Sequence, residues 1–211
     1  MNSAVWRLRK LLASSPQCTK GDNLRTVGPE TILERTAWLD VDTWALLQTA
    51  QTTLSGPEAD LGPSRIKEIL PVLYRYEGPF LDGEEADWVL EERERLHSIF
   101  IQTALTIVRY LGQHAHHHEA IQLARHALRF DPYREELVRY LLVVLALDER
   151  RNDAIRYYEH WIGLIRRELG ISPLPATRAT IEEIRNLHNV ETVQHLRARL
   201  VGRDERQRSL I

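Results

Sequence analysis

Four histidines crowd one short stretch of this sequence: His114, His116, His117 and His118. Histidines four apart on one helix can share a divalent ion, so His114 and His118 are the pair to weigh. Gly112 reads as the end of one helix, which puts the cluster in a turn, with Glu119 the only nearby carboxylate and Cys18 remote in sequence. The expectation is a solvated loop, no metal site and no other cofactor. Glu84/Glu85 and Glu91/Glu92 are adjacent carboxylates on a helical surface pattern, expected as solvated charges and not as an acid/base pair. The chain has no glycine-rich phosphate loop, no Gly-x-Ser-x-Gly elbow and no HExxH. No catalytic residue is expected, and the protein is read as not an enzyme.

Polyanion chemistry is the better candidate, and it is local. The 211 residues carry a net charge of −2, so the whole molecule has no electrostatic claim on nucleic acid. Up to Thr26, however, Arg7, Arg9, Lys10, Lys20 and Arg25 face only Asp22. Met1–Leu12 has the pattern of a short helix. At 100° per residue Val5, Leu8 and Leu12 share one face, and Ser3, Trp6, Arg7 and Lys10 the other. A basic polar face on a short helix suits a major groove. A polar loop over Ala13–Asp22 leads to a strand at Leu24–Val27, a turn at Gly28-Pro29-Glu30 and a second strand at Thr31–Leu33. Helix, loop and hairpin are the back half of a winged helix. The candidate DNA-binding residues are Asn2, Ser3, Trp6, Arg7 and Lys10 for groove and phosphate, with Arg25 on the wing.

The rest of the pattern is helical. Asp40 or Asp42 can cap a helix to about Thr53 with Trp44, Leu47 and Leu54 inward. A second runs over about Pro63–Tyr74, where Pro71 should kink it or end it early. Gly78-Pro79 and Asp82-Gly83 then mark turns. Asp82 can cap a long helix with Glu84, Glu85 and Asp87 in its first turn. Its inward stripe is Val89, Leu96, Phe100, Ala104, Ile107 and Leu111, and Glu91 can pair with Arg95 one turn on. Glu119-Ala120-Ile121 and Asp153-Ala154-Ile155 stand 34 residues apart, the period of tetratricopeptide repeats. Ala120 and Ala127 fall at the small positions of such a unit, Asp131-Pro132 closes it, and Trp161 stands where the second unit would have alanine. Helices are expected at about 84–112, 116–130, 133–148 and 151–169, with Gly170 as a cap, a rigid elbow over Ser172–Pro175 and a last helix over about Thr177–Leu187. Tyr157, Tyr158 and Trp161 are expected in the core. Arg125, Arg129, Tyr133 and Arg134 are possible lining residues of a concave surface.

The stretch Gly78-Pro-Phe-Leu-Asp-Gly-Glu-Glu-Ala-Asp-Trp-Val-Leu-Glu-Glu-Arg-Glu-Arg-Leu96 resembles the signature of the bacterial transcriptional activator domain, the helical effector region of SARP-type regulators. Leu169-Gly-Ile-Ser-Pro173 through Thr177-Arg178 resembles its closing motif. Asn2–Leu12 and Leu24–Glu30 resemble the recognition helix and wing of the OmpR-type winged helix that precedes it. Thr31-Ile32 stands where relatives often carry Gly-Tyr. The resemblance implies a mainly α fold. A truncated winged helix (1–36) would precede a tetratricopeptide-like domain of three helical units (37–188) and a charged tail (189–211). It implies a cytoplasmic transcriptional regulator that binds promoter DNA if the winged helix is completed. The repeat domain would serve self-association or contact with the transcription machinery. A fragment, split gene product or internal start is expected, because the family's domain has a small sheet and two helices before its recognition helix. The rival is an interaction module that has lost independent DNA binding. The longest apolar run, Leu141–Leu147, is far short of the ~20 residues that span a bilayer, so no membrane role is expected.

Overall fold

A computed structural model describes residues 3–14, 24–36, 38–56, 61–186, 196 and 198. Asn2, Cys18, most of the loop before the hairpin, Pro57, and the terminal segment other than Leu196 and Ala198 lie outside the described residues. The chain divides into two compact units, 1–45 and 46–211.

The first unit holds α1 (Ser3–Ala13), the hairpin β1 (Leu24–Val27) and β2 (Glu30–Leu33), and the start of α2 (Asp42–Leu54). The strands are antiparallel, with Leu24 opposite Leu33 and Val27 opposite Glu30. The turn is therefore the two residues Gly28-Pro29, and Glu30 belongs to the second strand. Gly28 has φ +60°, and proline holds the next φ near −65°. That order of signs matches the right-handed twist of a hairpin.

The second unit is a stack of helices: the rest of α2, α3 (Pro63–Tyr74), α4 (Asp87–Gln113), α5 (His117–Leu128), α6 (Glu135–Leu147), α7 (Arg151–Leu169) and α8 (Pro175–Arg185). Consecutive members from α4 to α8 pack on one another, and α6 also packs on α4 and α8. Short connections between packed helices make neighbours antiparallel. The stripe expected on α4 is buried at all six positions. On α2 the buried positions are Leu46, Ala50 and Thr53; of the expected face Trp44 and Leu47 are half-buried, Leu47 against the core, and Leu54 is exposed. Pro71 does not end α3. The helix continues to Tyr74 because Leu73 beyond the proline is fully buried and anchors the last turn.

None of α3–α8 has a side-chain N-cap. Proline in the first turn opens α3 and α8 instead, where its missing N–H costs nothing. Two turns repeat the 34-residue period in backbone detail. Ala115 and Glu149 both have φ +60°. The N–H after each reaches back five residues, His116 to the Leu111 carbonyl (2.9 Å) and Arg150 to the Leu145 carbonyl (2.8 Å). This is a Schellman-type ending built on residues that lack glycine's freedom. Gly170 ends α7 at φ +66° without that strain, as the sequence indicated.

Where α3 ends against α4 and α5, aromatic rings gather. Tyr76 stacks on Phe100 at 4.0 Å, and Phe130 meets both edge-on. His126 lies edge-on to Tyr74, Phe100 and Phe130. The Tyr76 hydroxyl is 3.1 Å from His97 Nδ1. Burial holds the His126 imidazole below its ordinary range, Arg129 pushes the same way, and the Leu73 and Tyr76 carbonyls and Glu77 oppose.

Two tests follow from these turns and rings. Ala115→Gly and Glu149→Gly should each stabilise the protein by about 0.5–1 kcal/mol in urea denaturation, the relief of the left-handed residue less glycine's unfolded-state entropy. For His126 the native form is the neutral one. Its contribution is present above the unfolded value of about 6.5 and is lost as pH falls below it, because the unfolded chain then binds the extra proton. The melting temperature should therefore fall between pH 7 and pH 5, and His126→Phe should flatten that slope; an equal slope in the variant would dismiss the assignment.

Candidate functional site

In the first unit, α1 presents Trp6, Arg7 and Lys10 outward, as the sequence suggested. Lys10 Nζ lies 5.2 Å from the centre of the Trp6 ring, so the ring steadies the ammonium through a cation–π contact. Ser3 begins the helix. The inward face differs from expectation. Val5 and Leu12 are half-buried, but Leu8 is exposed and Arg9 takes the third position. Arg9 Nη2 donates to the Leu24 carbonyl (3.3 Å) and to Thr26 Oγ1 (3.2 Å), which ties helix to hairpin. The sequence reading grouped Arg9 only with the basic residues. Its place at i+4 from Val5 was the available signal.

Arg25 is on β1, exposed, and pairs with Glu34 at 3.0 Å, a diagonal cross-strand partner. Arg35 lies over the Trp44 ring at 5.2 Å. The outer face of α1 thus carries Arg7 and Lys10, and the hairpin's Arg25 is neutralised by Glu34.

The signature stretch acts first on structure. α4 begins at Asp87, so Glu84 and Glu85 precede the helix and Asp82 does not cap it. The reason is Arg93. Its guanidinium donates to the carbonyls of Phe80 (2.8 Å), Leu81 (2.6 Å) and Glu84 (3.0 Å), holding the loop folded back on the helix. Leu81 at φ +45° and Gly83 at φ +87° form the bend. One planar, always-charged group satisfies three carbonyls that no helix or strand would. Arg95 pairs with Glu92 at 2.6 Å and not with Glu91, turning back three residues rather than four.

The histidines are not in one turn. Gly112 is buried inside α4, which runs to Gln113, and His117 and His118 are in the first turn of α5. His114 stacks on Tyr110 at 4.0 Å, with Nδ1 2.8 Å from the Tyr110 carbonyl. His116 is 3.9 Å from Glu119. Among the described residues no group of three metal-ligating side chains comes together. Trp161 and Tyr158 are buried and Tyr157 is half-buried. Trp161 replaces the repeat's alanine and donates from Nε1 to the Pro132 carbonyl (2.9 Å), which joins the two successive helical repeats. Of the proposed concave residues, Tyr133 hydrogen-bonds Glu168, Arg134 pairs with Asp131 at 3.0 Å and Arg129 lies over Phe130.

This arrangement agrees with a family match. The description "Bacterial transcriptional activator domain" matches residues 41–185, more than half of the chain. The chain belongs to that family. No curated protein sequence matches it. A solved structure of Mycobacterium tuberculosis EmbR in complex with a low affinity phosphopeptide is similar to it, with TM-score 0.61 and 21% identity over 95% of this chain. At that identity the likeness concerns the fold, which is mainly helical. The chain spans about half of the EmbR chain, 52%. Within this activator domain the signature loop is thus a clamp for the start of α4, and no described helix is long and apolar enough to cross a membrane.

Arg93→Ala should cost about 1–2 kcal/mol, since three charge-assisted hydrogen bonds pass to water at a partly exposed site. Arg93→Lys should recover less than half, because an ammonium cannot span three carbonyls. Urea denaturation of the three proteins measures both.

Proposed function

We propose that this protein is a cytoplasmic transcriptional regulator of the SARP type, and not an enzyme. In this reading the first unit is the C-terminal half of a winged helix. α1 lies in a major groove, reading through Trp6, Arg7 and Lys10 together with Asn2 and Ser3. The β1–β2 hairpin is the wing, and Arg25 reaches the phosphate backbone once Glu34 releases it. The activator domain is a tetratricopeptide-like stack that contacts transcription machinery or a second copy.

The observation that carries the reading is the family match over 41–185, directly preceded by a helix with cations on its outer face and a two-stranded hairpin. Phosphate contact supplies affinity and base-edge contact supplies specificity, so the two kinds of cation have separable effects. The Arg25–Glu34 pair favours the second reading, an interaction module without independent DNA binding, because the wing cation is already neutralised.

Fluorescence anisotropy with promoter DNA at two salt concentrations separates the readings. Arg7→Ala should weaken specific binding by about 1–3 kcal/mol if the side chain reads a base. Arg25→Ala should weaken binding evenly across sequences and reduce the salt slope by about one. Absence of any salt-dependent binding, with capture of a protein partner, would leave the interaction module standing.

A further inference from the structure

Two exposed surfaces of the second unit are complementary. The first is the entry to α4, where Glu84, Glu85, Asp87, Trp88, Leu90 and Glu91 are all exposed, Trp88 to 61%. The second is the elbow between α7 and α8. Tyr133, Leu169, Ile171 and Leu174 are exposed there, Leu174 to 56%. Hydrogen bonds hold these into one neighbourhood. The Tyr133 hydroxyl donates to Glu168 beside Leu169, and the Leu174 N–H donates to the Glu135 carboxylate at 2.6 Å. Arg166 stands one turn before Leu169 on α7, and Arg178 one turn after Leu174 on α8. Both are exposed, and among the described residues neither is in an ion pair. One surface is thus aromatic with an acidic surround; the other is mainly aliphatic with Tyr133 at its edge, and its Arg166, Arg167 and Arg178 outnumber Glu135 and Glu168, which leaves its margin net basic.

We propose that these surfaces are the two sides of one contact between copies of this chain: the Trp88-bearing entry of α4 on one copy seats on the α7–α8 elbow of the next. A tryptophan and arginines flanking apolar side chains are the residue types that dominate protein interfaces, and opposite charge at the margins orients the encounter. The contact joins unlike surfaces, so it is heterologous, and each dimer keeps one open surface of either kind. Association therefore continues to rings or longer chains as concentration rises. This rests on the self-association reading of the activator domain and names its surfaces; it is independent of DNA binding.

Sedimentation equilibrium on the full chain tests it with two variants, Glu85→Arg/Trp88→Ser on the acidic side and Leu174→Glu/Arg178→Glu on the elbow. All four positions are exposed, and circular dichroism checks that both variants fold. Each variant alone should self-associate at least about tenfold more weakly than the natural chain. An equimolar mixture should restore a one-to-one dimer and nothing larger, because each partner keeps one intact surface. Raising salt from about 0.05 M to about 0.5 M should weaken the natural chain's association. A natural chain that stays monomeric at its highest soluble concentration would sink both this contact and the self-association reading. Variants that associate as the natural chain does would sink only the contact named here. Loss in only one variant would show like surfaces meeting, and either that result or loss in both without restoration on mixing would overturn the head-to-tail geometry.

Discussion

The second unit is built around a helix that has no polar side to show. Along α6, Leu137, Val138 and every residue from Tyr140 to Ala146 are buried, leaving Arg139 as the one partly exposed side chain in that span. A helix apolar around its whole circumference must be covered on all sides. Four helices, α4, α5, α7 and α8, supply that cover. Each fully buried leucine or valine contributes roughly 1.5–3 kcal/mol relative to exposure, an upper figure given a compact unfolded chain. No cap or surface ion pair approaches the sum of such terms.

Covering α6 closely requires small residues on the helix beside it. Ala120, Ala124 and Ala127 of α5 are fully buried, which lets the α5 backbone approach its neighbours. The following helical repeat solves the same problem differently. Trp161, 34 residues after Ala127, fills the space that an alanine would leave and fastens it with its indole N–H. The two turns that reverse the chain are alike to the level of the left-handed residue and the backward hydrogen bond, although their sequences share neither glycine nor charge. Packing of the helices on either side dictates the turn, and the local residues bear its strain.

The first unit shows the converse. Its helix and hairpin are joined through an arginine, since Arg9 reaches the Leu24 carbonyl and Thr26, and Leu24 is the one buried apolar residue in the described part of the hairpin and α1. Trp6, Leu8, Leu11, Val27 and Ile32 remain exposed. Guanidinium groups also fold the signature loop onto α4, through Arg93, and Arg151 donates to the Ile184 and Arg185 carbonyls at the end of α8. In each case a long, planar, permanently charged side chain serves backbone carbonyls that secondary structure leaves open.

The sequence by itself determined the helices, their order and their pairing. The 3.6-residue stripes and the 34-residue period are properties of residue spacing, and Gly78-Pro79, Gly170 and Pro175 punctuate them through their own backbone limits. The hairpin followed in the same way from Gly28-Pro29 between short β-prone runs. Only the tertiary structure decided which helix is central, since α6 and α4 both carry long apolar stripes and burial on all sides depends on neighbours distant in sequence. It also decided the destinations of the arginines. Arg9 reads as one more cation for a polyanion, and Arg93 as surface charge, because a side chain of that length reaches carbonyls nine to fifteen residues away as readily as it reaches water. The helix starts shifted for that reason: Asp82 has the right chemistry for a cap, but the carbonyls held by Arg93 keep residues 80–84 out of the helix.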